Sequence, residues 1–308
     1  MYQASAKVAT DLDSGILAPL SFFSLYGLPL SKEQIFNLIY KVSATREQIN
    51  QRLEYLVSAG RVQKTDNLYS LKPWKRERMA VNRLEMEKRW QKIARYSAIL
   101  RAIPYIEHIS VIHSLAIGNV DQESDIDFFV VTKPNRLYFV RTMIIILFKL
   151  FGVYKTRKKI KEQFCFGYYL TTENLNLAEL EGQDNFLAFW FAAHIPVLGP
   201  DTHADLIRSN TWIYEYFPNF QGEARNRYFA SSIVLTSIKK LLEMLLFLPT
   251  IVAEPILRKI HITHTFNLPE NHWPTSLTVA NKNMLKLQAL SQRRQINQAF
   301  EAVLQSLR

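Results

Sequence analysis

Apolar positions recur three and four apart through the N-terminal part of the chain, the spacing of helices that bury one face. Ser31-Lys32-Glu33-Gln34 has the form of a capping box, and Ile35, Leu38 and Ile39 follow it at helical spacing. Thr45-Arg46-Glu47-Gln48 repeats the start signal. The helix behind it is expected to bury Ile49, Leu53, Leu56 and Val57 and to stop at Gly60. Two short β runs, 62–64 and 68–71, are joined by Asp66-Asn67 and read as a hairpin. With an upstream helix over 16–26, the order is that of a winged helix-turn-helix over residues 1–72. On the second of these helices Thr45, Arg46, Gln48, Gln51 and Arg52 lie on the exposed side, where they could face a major groove.

Pro73 marks a boundary. Residues 73–103 read as one long basic linker helix, with ten bases against three acids over 72–101 and an apolar stripe through Trp90 and Ile93. Most of those charges are expected to solvate an outer face. From 104 to 199 strand and helix alternate: strands at 109–112, 126–132 and 164–170, helices at 137–151 and 184–194. Residues 200–308 read as a helical C-terminal region. The predicted class is α+β, a mixed sheet with flanking helices.

Two stretches, 137–153 and 241–253, are very apolar, but Arg141 and Lys149 interrupt the first, and Glu243 and Pro249 the second. Neither has the uninterrupted run of about 20 apolar residues that a spanning helix needs, so both are expected to be buried helices without stable membrane insertion. For the second, flanked by Lys239, Lys240, Arg258 and Lys259, the alternative is an interfacial helix on an anionic membrane. The first fifteen residues lack a long apolar run, so no secretory signal is expected there. With one cysteine in 308 residues, Cys165, the expected compartment is the cytoplasm. The lone cysteine also excludes an intramolecular disulfide framework and a multi-cysteine zinc site. A formal net charge of +11 points to anionic partners, nucleic acid among them.

Chemistry concentrates in 111–131. Asp125 and Asp127 are two apart at the start of a β run, so both carboxylates point to one side, away from Ile126 and Phe128. Two carboxylates that close repel unless a cation sits between them. Mg²⁺ is typically held by one or two carboxylates plus substrate phosphates. His108, His194, His203, His261, His264 and His272 show no spacing that suggests a metal cluster. Cys165, on an apolar strand, is expected to be a small buried hydrophobe.

The segment from Val111 through His113-Ser114 to Ser124-Asp125-Ile126-Asp127-Phe128 resembles the signature of the polymerase-beta-like nucleotidyltransferase superfamily: a strand, a Gly-Ser turn, a short helix, then Asp-x-Asp on the next strand. A looser likeness, through 189–199, Asn210-Thr211-Trp212 and 286–300, is to two-domain proteins with a winged-helix-like region before the nucleotidyltransferase core. The resemblance implies that His113 and Ser114 contact the phosphates of a nucleoside triphosphate. It further implies that Asp125 and Asp127 are the catalytic residues, ligating Mg²⁺ (or Mn²⁺) while an acceptor hydroxyl attacks the α-phosphate and pyrophosphate leaves.

Two departures stand out. His113 occupies the place of the family's glycine, and glycine allows close backbone approach to phosphate. Active members also carry a third carboxylate on a later strand. Here that strand, 164–170, has no acid; Gly167 stands near the expected place, and Glu162 and Glu173 only flank it. Lys155, Arg157, Lys158, Lys159 and Lys161 crowd the preceding loop, where with Tyr154, Tyr168 and Tyr169 they could form a basic wall. Three readings follow: a nucleotidyltransferase, active or degenerate; a non-catalytic nucleic-acid-associated or regulatory protein; and a membrane-surface protein acting through 241–260.

Overall fold

The computed structural model describes residues 2–222, 225–230, 232–273, 276–288 and 292–307, with side chains from residue 11 onward. The chain is mixed α+β. It opens with helix α1 (Tyr2–Ser24), strand β1 (Leu30–Ser31), α2 (Lys32–Asn37) and α3 (Arg46–Ser58). Both capping boxes form: Ser31 and Thr45 each accept the backbone N–H three residues on, and Gln34 and Gln48 reach back to the cap N–H. β2 (Gln63–Thr65) and β3 (Leu68–Ser70) are joined through Asp66 and Asn67, both at positive φ, as a tight hairpin turn requires. With β1 they make a three-stranded antiparallel sheet in the order β1-β3-β2.

Next comes α4 (Arg76–Ala102), followed by β4 (Ile106–Ile112), the short α5 (His113–Ile117), β5 (Ile126–Thr132), α6 (Leu137–Leu150) and β6 (Phe164–Thr171). Helices α7 (Leu177–Glu181) and α8 (Asn185–Ala193) precede β7 (Ile195–Leu198). Then follow α9 (Pro200–Arg208), α10 (Ile213–Tyr216), α11 (Ile233–Leu245), α12 (Phe247–Phe266), β8 (Val279–Ala280), β9 (Met284–Lys286) and α13 (Arg293–Ser306). The main sheet has six strands in the order β7-β4-β5-β6-β9-β8; β5 and β6 are parallel and the other pairs antiparallel. The parallel pair is connected through α6, the crossover such pairs need.

Strand alternation divides the core. Ile126, Phe128 and Val130 face Trp90 and Ile93 of α4 and Ile144 and Phe148 of α6. Phe129 and Val131 face the other way, into a core that also holds Phe22 of α1, Leu53 of α3, Phe189 of α8 and Phe300 of α13. Phe22 stacks on Phe189 with ring centroids 4.0 Å apart, so the N-terminal helices share a core with the sheet's second face.

The C-terminal region is mainly helical, with β8 and β9 extending the main sheet through pairing of β9 with β6. Most of the charges over 72–101 are exposed, but Arg89 is fully buried and Glu85 nearly so. One expectation is corrected. Residues 241–253 are not a buried helix. Thr250 is buried there, but Leu241, Met244, Leu245, Phe247, Leu248, Ile251 and Val252 are all at least half exposed. The 137–150 segment does bury one side, through Leu137, Val140, Ile144 and Phe148. Among the described residues no helix is long and apolar enough to cross a membrane.

Candidate functional site

The site forms where β4 ends, β5 begins and β6 runs beside it. Asp127 pairs in register with Ile112 on one side and Cys165 on the other. Ligand atoms of Asp125, Asp127 and Cys165 all lie within 4.8 Å of one another. The two aspartates therefore converge, as period-two alternation requires. Cys165 stands opposite Asp127. A register shift between Asp127 and Phe129 gives β6 one extra residue there, and it moves Gly167 out of line. Neither Glu162 nor Glu173 joins the cluster.

Lys155 reaches in from the loop before β6. Its Nζ lies 2.5 Å from Asp125 Oδ2 and 3.7 Å from Cys165 Sγ. Burial alone would lower the Lys155 pKa, but the negative charge around it wins and holds the ammonium above the ordinary lysine range. Burial pushes the Cys165 thiol well up, so at neutral pH it is a thiol and Asp125 is the acting counter-ion. Burial also raises the Asp127 carboxyl, opposed by His113 and Lys155 and reinforced by the charge of Asp125. Cys165 is thus a half-buried polar partner of Asp127, not an inert hydrophobe.

The loop entering β5 is fixed from beneath. Arg89 donates to the carbonyls of Asp121 (2.8 Å) and Ser124 (2.7 Å) and pairs with Glu85 at 2.8 Å. Ser124 Oγ donates to Asp121 at 2.7 Å. A fully buried guanidinium is costly unless its donors are satisfied; here they hold the backbone from which Asp125 projects.

His113 has φ +55°, the left-handed region where a glycine is free of strain. Its exposed ring lies 6.2 Å from that of Trp190. His113, Asp127, Lys155, Cys165, Trp190 and Lys286 help line a cavity of about 130 Å³. Ser114 is half-buried on α5 and is not among the described lining residues. Glu181 also lines the cavity, but Lys286 (2.5 Å) and Arg293 (3.0 Å) hold it. Pockets that enclose drug-sized ligands run to roughly 300–1,000 Å³. Its enclosed part is of the size of a phosphate group.

The donor set matches Mg²⁺ or Mn²⁺ poorly. Two carboxylates suit a hard cation, but the third donor is a soft thiol. Lys155 already neutralises Asp125 as an ion pair. Comparison of the chain with family models, curated proteins and solved structures returns no match.

The rest of the predicted basic wall is dispersed. Arg157 pairs with Glu270, Lys159 donates to the Gly152 carbonyl, and Lys161 approaches Glu123 at 3.8 Å. The side chains expected to face a major groove are also engaged within the chain. Thr45 and Gln48 form the capping box, Arg46 pairs with Glu33, Gln51 donates to Glu47, and Arg52 pairs with Asp13.

Sequence spacing also missed a histidine cluster. His194 Nε2 lies 3.0 Å from His203 Nε2, and His108 stacks on His203 at 5.5 Å. Their other ring nitrogens meet Phe191 O, Tyr228 OH, Ser110 Oγ and Gly199 O, so the rings are satisfied inside the protein.

Proposed function

We propose that this chain is a nucleotidyltransferase-like protein that has exchanged turnover for binding. The Asp125–Asp127 pair is retained, Cys165 stands where active members carry a third carboxylate, and the ammonium of Lys155 takes the charge-neutralising role of a metal ion. The observation that carries this reading is the 2.5 Å contact of Lys155 with Asp125, with Cys165 in register beside Asp127. A transferase needs a group to accept the proton of the attacking hydroxyl and a cation to stabilise the leaving pyrophosphate. Asp125 is ion-paired, Glu181 is tied to two cations, and Cys165 is a neutral thiol. What the site offers is a small cavity edged by Lys155 and His113, suited to one phosphate group of a nucleotide or a similar anion.

The non-catalytic reading favours this cavity over the N-terminal helices, because the candidate groove-facing side chains are already engaged. The test is incorporation of α-labelled nucleoside triphosphates into the protein, a peptide or RNA with Mg²⁺ or Mn²⁺ present. The expected result is no product from the wild type. Product formation abolished by Asp125→Asn or Asp127→Asn would overturn the proposal.

A further inference from the structure

We propose that the α11–α12 face seats this protein on the surface of an anionic lipid bilayer without crossing it. The face is broad and apolar. No residue of α11 is buried, and Ile233 and Leu248 are 87% and 71% exposed. Met244, Leu245, Val252 and Ile256 are each more than half exposed. Isolated exposed apolar side chains are ordinary, but two consecutive helices presenting them together mark an interaction surface.

Charge selects the occupant. Both acids within α11 and α12 are turned inward. Glu243 pairs with Lys133 at 2.7 Å and accepts the Tyr105 N–H, while Glu254 accepts the N–H groups of Tyr138 and Phe139 at 3.0 and 2.7 Å. The exposed Lys and Arg side chains of these helices are Lys240 and Lys259; Lys239 and Arg258 are partly buried. On α11, Lys240 falls at the edge of the arc that Ile233, Leu241 and Met244 share, from helical spacing. An apolar face rimmed by lysine, with its acids withdrawn, is the pattern of a helix lying in the headgroup region of an anionic leaflet. A second copy of this chain fits less well, since like lysines would meet over an apolar patch with no exposed acid on either helix to pair them. The helices themselves are not long and apolar enough to cross a membrane, which agrees with a surface-bound state.

The test is flotation of the full chain with two kinds of vesicle at physiological salt. One is phosphatidylcholine alone; in the other about a third of the lipid is phosphatidylglycerol, comparable to an anionic leaflet. The wild type is expected to float with the anionic vesicles and far less with the neutral ones. Leu245→Glu with Leu248→Glu should keep the wild-type melting temperature, both side chains being exposed, and remain at the bottom of the gradient. Lys240→Gln with Lys259→Gln should weaken binding to anionic vesicles about tenfold or more. A wild type that floats with neither vesicle overturns the proposal. So does flotation unchanged in the Leu245/Leu248 variant. A wild-type dimer on size exclusion that the Leu245/Leu248 variant splits, without flotation of either, gives the face to a second copy instead. None of these readouts involves Asp125 or Lys155, so failure here leaves the reading of the cleft standing.

Discussion

Lys155 Nζ lies 2.5 Å from Asp125 Oδ2, so this carboxylate meets an ammonium carried by the same chain. That contact ties a loop residue to the start of β5 and sets the electrostatics of the cleft. Without it, Asp125 and Asp127 would repel across a few ångströms of partly dried space.

Removing the ammonium should therefore destabilise the fold. Lys155→Ala leaves Asp125 without its counter-ion. The lysine side chain is about one-third exposed, so the loss is discounted from the buried-pair value to about 1–2 kcal/mol. Urea denaturation checks this. Lys155→Arg should recover part of the loss, because it restores the charge.

Arg89 is a positioning residue for the same aspartates. Arg89→Ala removes its donors to Asp121 and Ser124 and leaves the buried Glu85 of α4 with Lys88 as its remaining ion-pair partner. The expected cost is about 3–5 kcal/mol. Hydrogen exchange should show the amides of 121–126 opening before those of β4. A loss of stability with unchanged protection over 121–126 would make Arg89 a general core residue only.

The strand-borne aspartate pair was legible because period-two alternation is a local property of the chain. So were the capping boxes, whose partners are three residues apart. Lys155 was visible only as one of five bases in a loop. Nothing local says which of them turns inward, and its partner lies thirty positions earlier. Which residue of β6 stands opposite Asp127 was not legible, because strand register is set by pairing between distant segments; the pairing places Cys165 there. β8 and β9 are two and three residues long, too short to show a pattern before β6 pairs with them. Hydropathy marked 241–253 as apolar, but whether an apolar helix is covered depends on what packs against it.

The histidine cluster makes stability fall with acid. Burial lowers His108 to about 3 and His203 to about 4, from an ordinary 6.5, and lowers His194 well below that value. A depressed histidine pKa means that the unfolded chain binds protons the folded one refuses. The stabilising contribution is full above about pH 6.5 and is lost as pH falls toward 4. Between pH 7 and 5 each of His108 and His203 contributes a loss on the order of 2 kcal/mol. Melting temperature should drop across this interval, and His203→Gln should flatten the drop. A drop of the same size in that variant would place the acid sensitivity elsewhere.

The α3 surface should be a poor reader of nucleic acid. Arg46 and Glu33 are both more than half exposed, so Arg46→Ala should leave the melting temperature close to that of the wild type. If α3 does not enter a groove, the same variant leaves affinity for duplex DNA and its salt dependence unchanged in a mobility-shift titration. A salt slope reduced by about one would show that Arg46 contacts a phosphate.

Calorimetric titration of Mn²⁺ into the wild type and into Lys155→Ala with Cys165→Asp tests the substitution of lysine for metal most directly. The account predicts no saturable heat for the wild type up to millimolar Mn²⁺, and one-site binding in the double variant, where the ammonium is gone and a third carboxylate faces Asp127. Tight Mn²⁺ binding by the wild type, lost on Asp125→Asn, would contradict it.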